Sequence, residues 1–211
     1  MKITKLGHCC LKIEERGLVA LTDPGNFSTT QNDVTGINLI LITHEHADHC
    51  HIESLKKVLA NNPEAKVVTN SSVGVILAKE GIPFRVIENG QKFYHDGVGV
   101  ESFGDVHAEI HSTFPRLQNT GYFIENKLFY PGDALTDPGK PVPILALPVS
   151  APWLKISEAI DYAIKLKPVK CFPVHDGMLA ITGGFHKAPA QILPSMGIEF
   201  TVLELDKEME F

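Results

Sequence analysis

The order of predicted elements makes this an α/β protein: strands and helices, then strands and helices again, giving two β-rich halves with helices outside and one shared core. Two observations carry that expectation. Short apolar runs such as Ile37-Asn38-Leu39-Ile40-Leu41-Ile42 read as buried strands. Ligand-type side chains then follow several of these runs, where a strand gives way to a loop. The 211 residues suffice for one well-buried domain, residues 1–211, or two intimately packed halves.

Residues 1–6, 9–14 and 18–22 resemble a meander, with Glu14-Glu15-Arg16-Gly17 as a hairpin turn. Asp23-Pro24-Gly25 breaks the pattern and opens a polar loop to Gly36. Residues 51–60 fit a helix ending at Asn61-Asn62-Pro63, and residues 66–69 a strand. Asn70 is the expected N-cap of a helix over 71–80, with Gly81 as its stop. Short strands follow at 84–87, 91–94, 98–103, 121–125, 128–130 and 144–147. Ser157 is the expected N-cap of a helix to Leu166, before Pro168. A strand at 170–174, a helix at 189–196 and a strand at 200–205 complete the reading.

Composition narrows the function classes. The chain is 44% hydrophobic and 21% charged with net charge −6, and it has no Lys/Arg-rich run. A partner held through its phosphate backbone needs clustered positive charge, so nucleic acid is disfavoured and a small-molecule substrate expected. Residues 1–8 contain no apolar signal core and no stretch approaches a membrane span, so no membrane partner and a cytoplasmic location are expected. Cys9, Cys10, Cys50 and Cys171 form no CxxC spacing, which points to packed free thiols. Oligomeric state is left open, a homo-oligomer included.

The most informative stretch is Thr43-His44-Glu45-His46-Ala47-Asp48-His49, directly after the apolar run. His44 and His46, two apart in extended backbone, can point the same way and grip one ion. Asp48 and His49 lie just beyond and can reach a second. Imidazole with carboxylate suits zinc first, with manganese or iron as alternatives. Chance produces HxHxDH in about one such chain in a thousand, which makes a metal site the better reading than an accidental histidine cluster. Three later positions share its setting: His107 after the strand at 98–103, Asp133 in Gly132-Asp133 after 128–130, and His175 after 170–174. His107 is favoured over His111 because it directly follows its strand; His111 would then face substrate or support a ligand.

HEHADH, then His107, Gly132-Asp133 and His175, resembles the metallo-β-lactamase superfamily in order and spacing over nearly the whole chain. Leu6-Gly7-His8 and Thr22-Asp23-Pro24 resemble its small hydrolase branches related to the ascorbate phosphate lactonases. The resemblance implies a four-layer αβ/βα sandwich. It implies two divalent ions, one held by His44, His46 and His107 and one by Asp48, His49 and His175, with Asp133 bridging them. Asp23 is expected both to form a turn and to accept the N–H of a ligand histidine. His8, Trp153 and His186 are expected to be packing or surface residues, and Cys50 a packed thiol.

Two adjacent divalent ions can hold one water as hydroxide, its pKa dropping from ~15.7 to near 7, and can polarise a carbonyl or phosphoryl oxygen. Hydrolysis of a small, anionic ester, lactone or phosphodiester is the expected function, with Asp48 and Asp133 as the catalytic carboxylates. A nuclease or a di-iron redox enzyme on the same scaffold are the alternatives. The first lacks a basic surface here; the second resembles HxExDH, whereas position 46 is His.

Overall fold

The computed structural model describes residues 1–211. Strands β1 (Lys2–Gly7), β2 (Cys10–Glu15) and β3 (Leu18–Thr22) form the expected antiparallel meander. Arg16 and Gly17, between the paired residues Glu15 and Leu18, both take positive φ (48° and 98°), the backbone twist a two-residue hairpin loop requires. β4 (Leu39–Leu41), β5 (Lys66–Thr69) and β6 (Arg85–Val86) add in parallel. The second sheet contains β7 (Lys92–His95), β8 (Val98–Phe103), β9 (Gly121–Ile124) and β10 (Leu128–Tyr130), all antiparallel. Parallel strands β11 (Ile144–Pro148), β12 (Lys170–Val174) and β13 (Glu199–Phe200) extend it. The last strand, β14 (Glu208–Glu210), returns to pair with β1. The orders are β14-β1-β2-β3-β4-β5-β6 and β13-β12-β11-β10-β9-β8-β7.

Alternation along the strands explains the layering. Leu39 and Leu41 of β4 enter the central core with Val100, Tyr122, Ala146 and Phe172 of the facing sheet. Ile40 and Ile42 point the other way, onto Leu55 and Val58 of α1 (Ile52–Asn61) and Val73 and Leu77 of α2 (Ser71–Lys79). Leu145 and Leu147 of β11 likewise pack outward on Ala159, Ile160 and Ala163 of α3 (Ile156–Leu166), with Ala188 of α4 (Gly183–Ile192) beside them. The result is the αβ/βα sandwich. The Tyr122 hydroxyl donates to the Ile42 carbonyl at 2.7 Å, tying the sheets together. No helix is long and apolar enough to cross a membrane.

The Asn70 cap is present, its Oδ1 accepting from the Val73 N–H at 3.1 Å. Three expectations need correction, all toward the C-terminus. α3 begins at Ile156, before Ser157; the N-cap is Lys155, whose own N–H is accepted by the Glu158 carboxylate at 2.9 Å. α4 starts six residues before Pro189, which sits inside the helix. Proline lacks the N–H for the bond to residue i−4, so sequence reasoning reads it as a start. The strand expected at 200–205 is limited to β13, and the chain then crosses to β14.

Candidate metal centre

The ends of β3, β4, β10 and β12 open on one edge of the sandwich, the usual place for a site in parallel sheets. Asp23 follows β3, the 43–49 segment follows β4, Asp133 follows β10 and His175 follows β12. His107 comes from the loop after β8, pinned by its N–H to the Leu117 carbonyl (2.8 Å) and the Ala108 N–H to the Asp133 carbonyl (2.8 Å).

Two glycines let these loops meet. A Cβ on Gly25 would overlap the Asp48 carbonyl, so the Asp23-Pro24-Gly25 turn lies directly against the histidine-rich loop. The Asn26 N–H donates to the Ala47 carbonyl there at 2.9 Å. Gly132 has φ +64°, and a Cβ would approach Thr43 Cβ to 2.9 Å and run into Asn119 Oδ1. That Oδ1 accepts the Asp133 N–H at 2.9 Å, which aims the carboxylate inward.

The seven sequence-selected residues converge. His44 Nε2 lies 3.1 Å from His46 Nδ1, and one ligand atom each from His44, His46, His107 and Asp133 fall within 4.8 Å of one another. Asp133 Oδ2 lies 3.0 Å from His175 Nε2 and 3.4 Å from His107 Nε2, and Oδ1 lies 3.1 Å from His49 Nε2. Asp48 Oδ2 is 3.6 Å from both His49 Nε2 and His175 Nε2. Asp133 thus stands between the two groups. His111 is outside both: it is exposed, with Nδ1 2.8 Å from Thr113 Oγ1.

The hydrogen-bond partners sort the ring nitrogens. Nδ1 of His49 donates to Asp23 Oδ2 (2.7 Å), Nδ1 of His107 to the Ala108 carbonyl (2.6 Å) and Nδ1 of His175 to the Ser150 carbonyl (2.5 Å). In the neutral ring each Nε2 then presents a lone pair. These three Nε2 atoms and Asp133 Oδ1 are buried without a hydrogen-bond partner. Buried polar atoms are rarely left so. Two donors ~2.0–2.1 Å from one tetrahedral ion lie about 3.3 Å apart, close to the separations here. The residues fit divalent metal.

Asp23 fills both expected roles. Its Oδ1 accepts the Thr43 N–H at 2.8 Å; Oδ2 takes His49 Nδ1, the Thr43 hydroxyl (2.7 Å) and the Tyr130 hydroxyl. Thr43 Oγ1, having donated to Asp23, lies 3.0 Å from His44 Nδ1 and can accept its proton. One buried carboxylate thus sets two ring orientations.

Two residues expected to be packing or surface groups belong to the site. His8 is buried at the β1–β2 corner, accepts the Gly177 N–H on Nδ1 (3.1 Å), and so carries its proton on Nε2, 3.1 Å from Asp48 Oδ2. The Trp153 Nε1–H donates to Asp133 Oδ2 at 2.9 Å. His8 falls in the Leu6-Gly7-His8 resemblance, which assigns it no role, and a lone tryptophan carries no spacing signal. His186 bonds Asp176 Oδ2 at 2.8 Å, and the buried Lys5 ammonium bonds both Asp176 oxygens (2.7 and 2.8 Å), bracing the loop that carries His175. Cys50 is buried in the core under α1, as expected.

Without metal the cluster is tuned to its own charges. Burial holds His44 well below the ordinary histidine value and lowers His8 and His46. Burial alone would raise the Asp48 carboxyl, but the His8 hydrogen bond and the His49 and His8 charges bring it to about 2. Burial opposes ionised Asp133 too, yet the His49 and His175 charges hold it well below the carboxylate range. Burial opposes a charged His49 as well, but Asp133, Cys9 and Asp23 together outweigh it and move His49 well upward. Groups with depressed folded-state values contribute stability that is lost as pH falls: for the three histidines below about pH 6.5, for the carboxylates below about pH 4. His49 works in reverse, its contribution fading as pH rises above about 6.5. Chelator-treated protein should therefore melt lower at pH 5 than at pH 7, as thermal denaturation followed by circular dichroism will show.

Residues 2–175 match the beta-lactamase superfamily domain family, and the chain belongs to that family. Protein Rv0786c of Mycobacterium tuberculosis is 37% identical over 185 residues, covering 85% of this chain and 86% of its own length. UPF0173 metal-dependent hydrolase Ta0764 of Thermoplasma acidophilum is 24% identical, covering 100% and 98%. Among solved structures, Igni18, a metallo hydrolase from Ignicoccus hospitalis, superposes with a TM-score of 0.75 at 19% identity, covering 100% of this chain and 98% of that one. That likeness concerns the fold.

Proposed function

We propose that this protein is a metal-dependent hydrolase of a small, anionic ester, lactone or phosphodiester. The observation that carries the reading is the convergence of three unpartnered histidine Nε2 atoms and one unpartnered carboxylate oxygen in a single buried cluster. His44, His46 and His107 would hold one divalent ion, Asp48, His49 and His175 a second, and Asp133 lies where it can reach both. Zinc is the first choice for this nitrogen and oxygen set, then manganese or iron. When bound, such ions supply an ionised water at neutral pH and Lewis acidity toward a carbonyl or phosphoryl oxygen.

The chain's own residues supply the rest. Asp133, anchored by its N–H and by Trp153, would act as proton acceptor through Oδ1, which makes no hydrogen bond and lies 3.1 Å from His49 Nε2. His8 fixes Asp48 through one oxygen and leaves the other free. The cleft above, about 250 Å³, is lined by His46, Asp48, His107, Asp133 and His175 with Trp153 at its wall. A small-molecule partner fits the net charge of −6 and the lack of a Lys/Arg-rich run. The relative named as a metal-dependent hydrolase supports the reaction type, and the Leu6-Gly7-His8 and Thr22-Asp23-Pro24 likeness to lactonase-related branches supports a lactone among the bonds.

Purified protein should hydrolyse at least one member of a chromogenic panel of lactones, carboxylic esters and phosphodiesters. Chelation should abolish that turnover and zinc or manganese restore it. Equal rates in chelated and metal-loaded protein would contradict the proposal.

A further inference from the structure

We infer that the site selects substrates whose non-reacting part is apolar, an acyl chain or aromatic body attached to the scissile ester or lactone. The inference rests on the hydrolase reading and adds the chemistry of the substrate away from the cleaved bond.

Large hydrophobic side chains exposed singly are ordinary on a protein surface; a group of them around one cleft marks a binding surface. Phe27 (46% exposed), Ile110 (38%), Phe114 (61%) and Met178 (39%) come from three different loops. Phe27, Ile110 and Met178 line the cleft over the histidine–aspartate cluster, together with Pro152 and Trp153. A second cavity of about 280 Å³ adjoins it, sharing His46, His107 and Ile110, and is walled by Phe114, Pro115 and Leu117. Each is smaller than the ~300–1,000 Å³ usual for ligand pockets, and the two joined reach that range. A substrate with its scissile group at the cluster would run across Ile110 and onto Phe114.

The polar groups of the second cavity do not oppose this. Glu109 and Arg116 carry opposite charges, so the cavity has no net preference for an anion or a cation. His111 has its Nδ1 occupied by Thr113. Selectivity is left to the apolar walls, while an anionic group at the reacting end would be held by the metals.

Full burial of a methylene is worth about fourfold in affinity, and a rim open on one side realises roughly half of that free energy, or about twofold. With metal-loaded protein and p-nitrophenyl esters from acetyl to octanoyl, kcat/KM should rise by roughly fifty-fold over the six added methylenes. In the Phe27→Ser/Phe114→Ser double variant, whose metal content should match the parent, the octanoyl-to-acetyl ratio should fall by about tenfold. Calorimetric titration with octanoate and acetate supplies a readout without turnover, and octanoate should bind at least tenfold more tightly. Metal-dependent ester hydrolysis with no chain-length preference would overturn the inference and leave the hydrolase reading intact. If no ester were cleaved, the octanoate titration would still decide: tighter binding lost in the double variant sustains the apolar site, and equal affinity for the two acids refutes it.

Discussion

Asp133→Asn should lower kcat by roughly 10³-fold or more, about 4 kcal/mol of transition-state stabilisation, while leaving the fold in place. The substitution is isosteric. An amide oxygen at the Oδ2 position keeps the Trp153 hydrogen bond, and the main-chain N–H keeps Asn119. What disappears is the negative charge within 3.0–3.4 Å of three histidines and the only carboxylate placed between the two ligand groups. An amide neither offsets the repulsion of two cations nor accepts a proton at neutral pH. Steady-state kinetics beside circular dichroism separate the two effects; turnover within tenfold of the parent would remove Asp133 from the mechanism.

His107→Ala and His111→Ala should behave oppositely despite lying four residues apart. His107 is buried, its Nδ1 is committed to the Ala108 carbonyl and its Nε2 has no other partner. Its loss should empty the first group of metal and abolish turnover. His111 is exposed beside the second cavity, so its loss should keep the metal and change KM by less than about tenfold. Elemental analysis of both variants reads the difference. Full metal content in the His107 variant would mean that the ligand is elsewhere.

Why the site was legible in the sequence follows from where its residues sit. Four candidate ligands lie in six consecutive positions after one strand, and local spacing survives without knowledge of the fold. Asp133 and His175 each follow a strand whose bounds the apolar pattern marks well. Asp23 carried a turn signature, and the same turn brings its carboxylate to His49. His8 and Trp153 had nothing comparable. Their roles depend on the Gly177 loop meeting the β1–β2 corner and on the loop after β11 folding over Asp133, contacts between segments 169 and 20 residues apart. The C-terminal elements were misread for a related reason. Pro189 and Ser157 carry strong local preferences, and packing on the second sheet overrides both.

The central claim is that this cluster holds two divalent ions, and metal stoichiometry tests it most directly. Protein stripped with chelator, reconstituted with zinc and freed of excess by gel filtration should contain two equivalents per chain by elemental analysis. The His44→Ala/His46→Ala variant should lose at least one of them. Less than one equivalent in the parent, or a content that the double substitution leaves unchanged, would contradict the account.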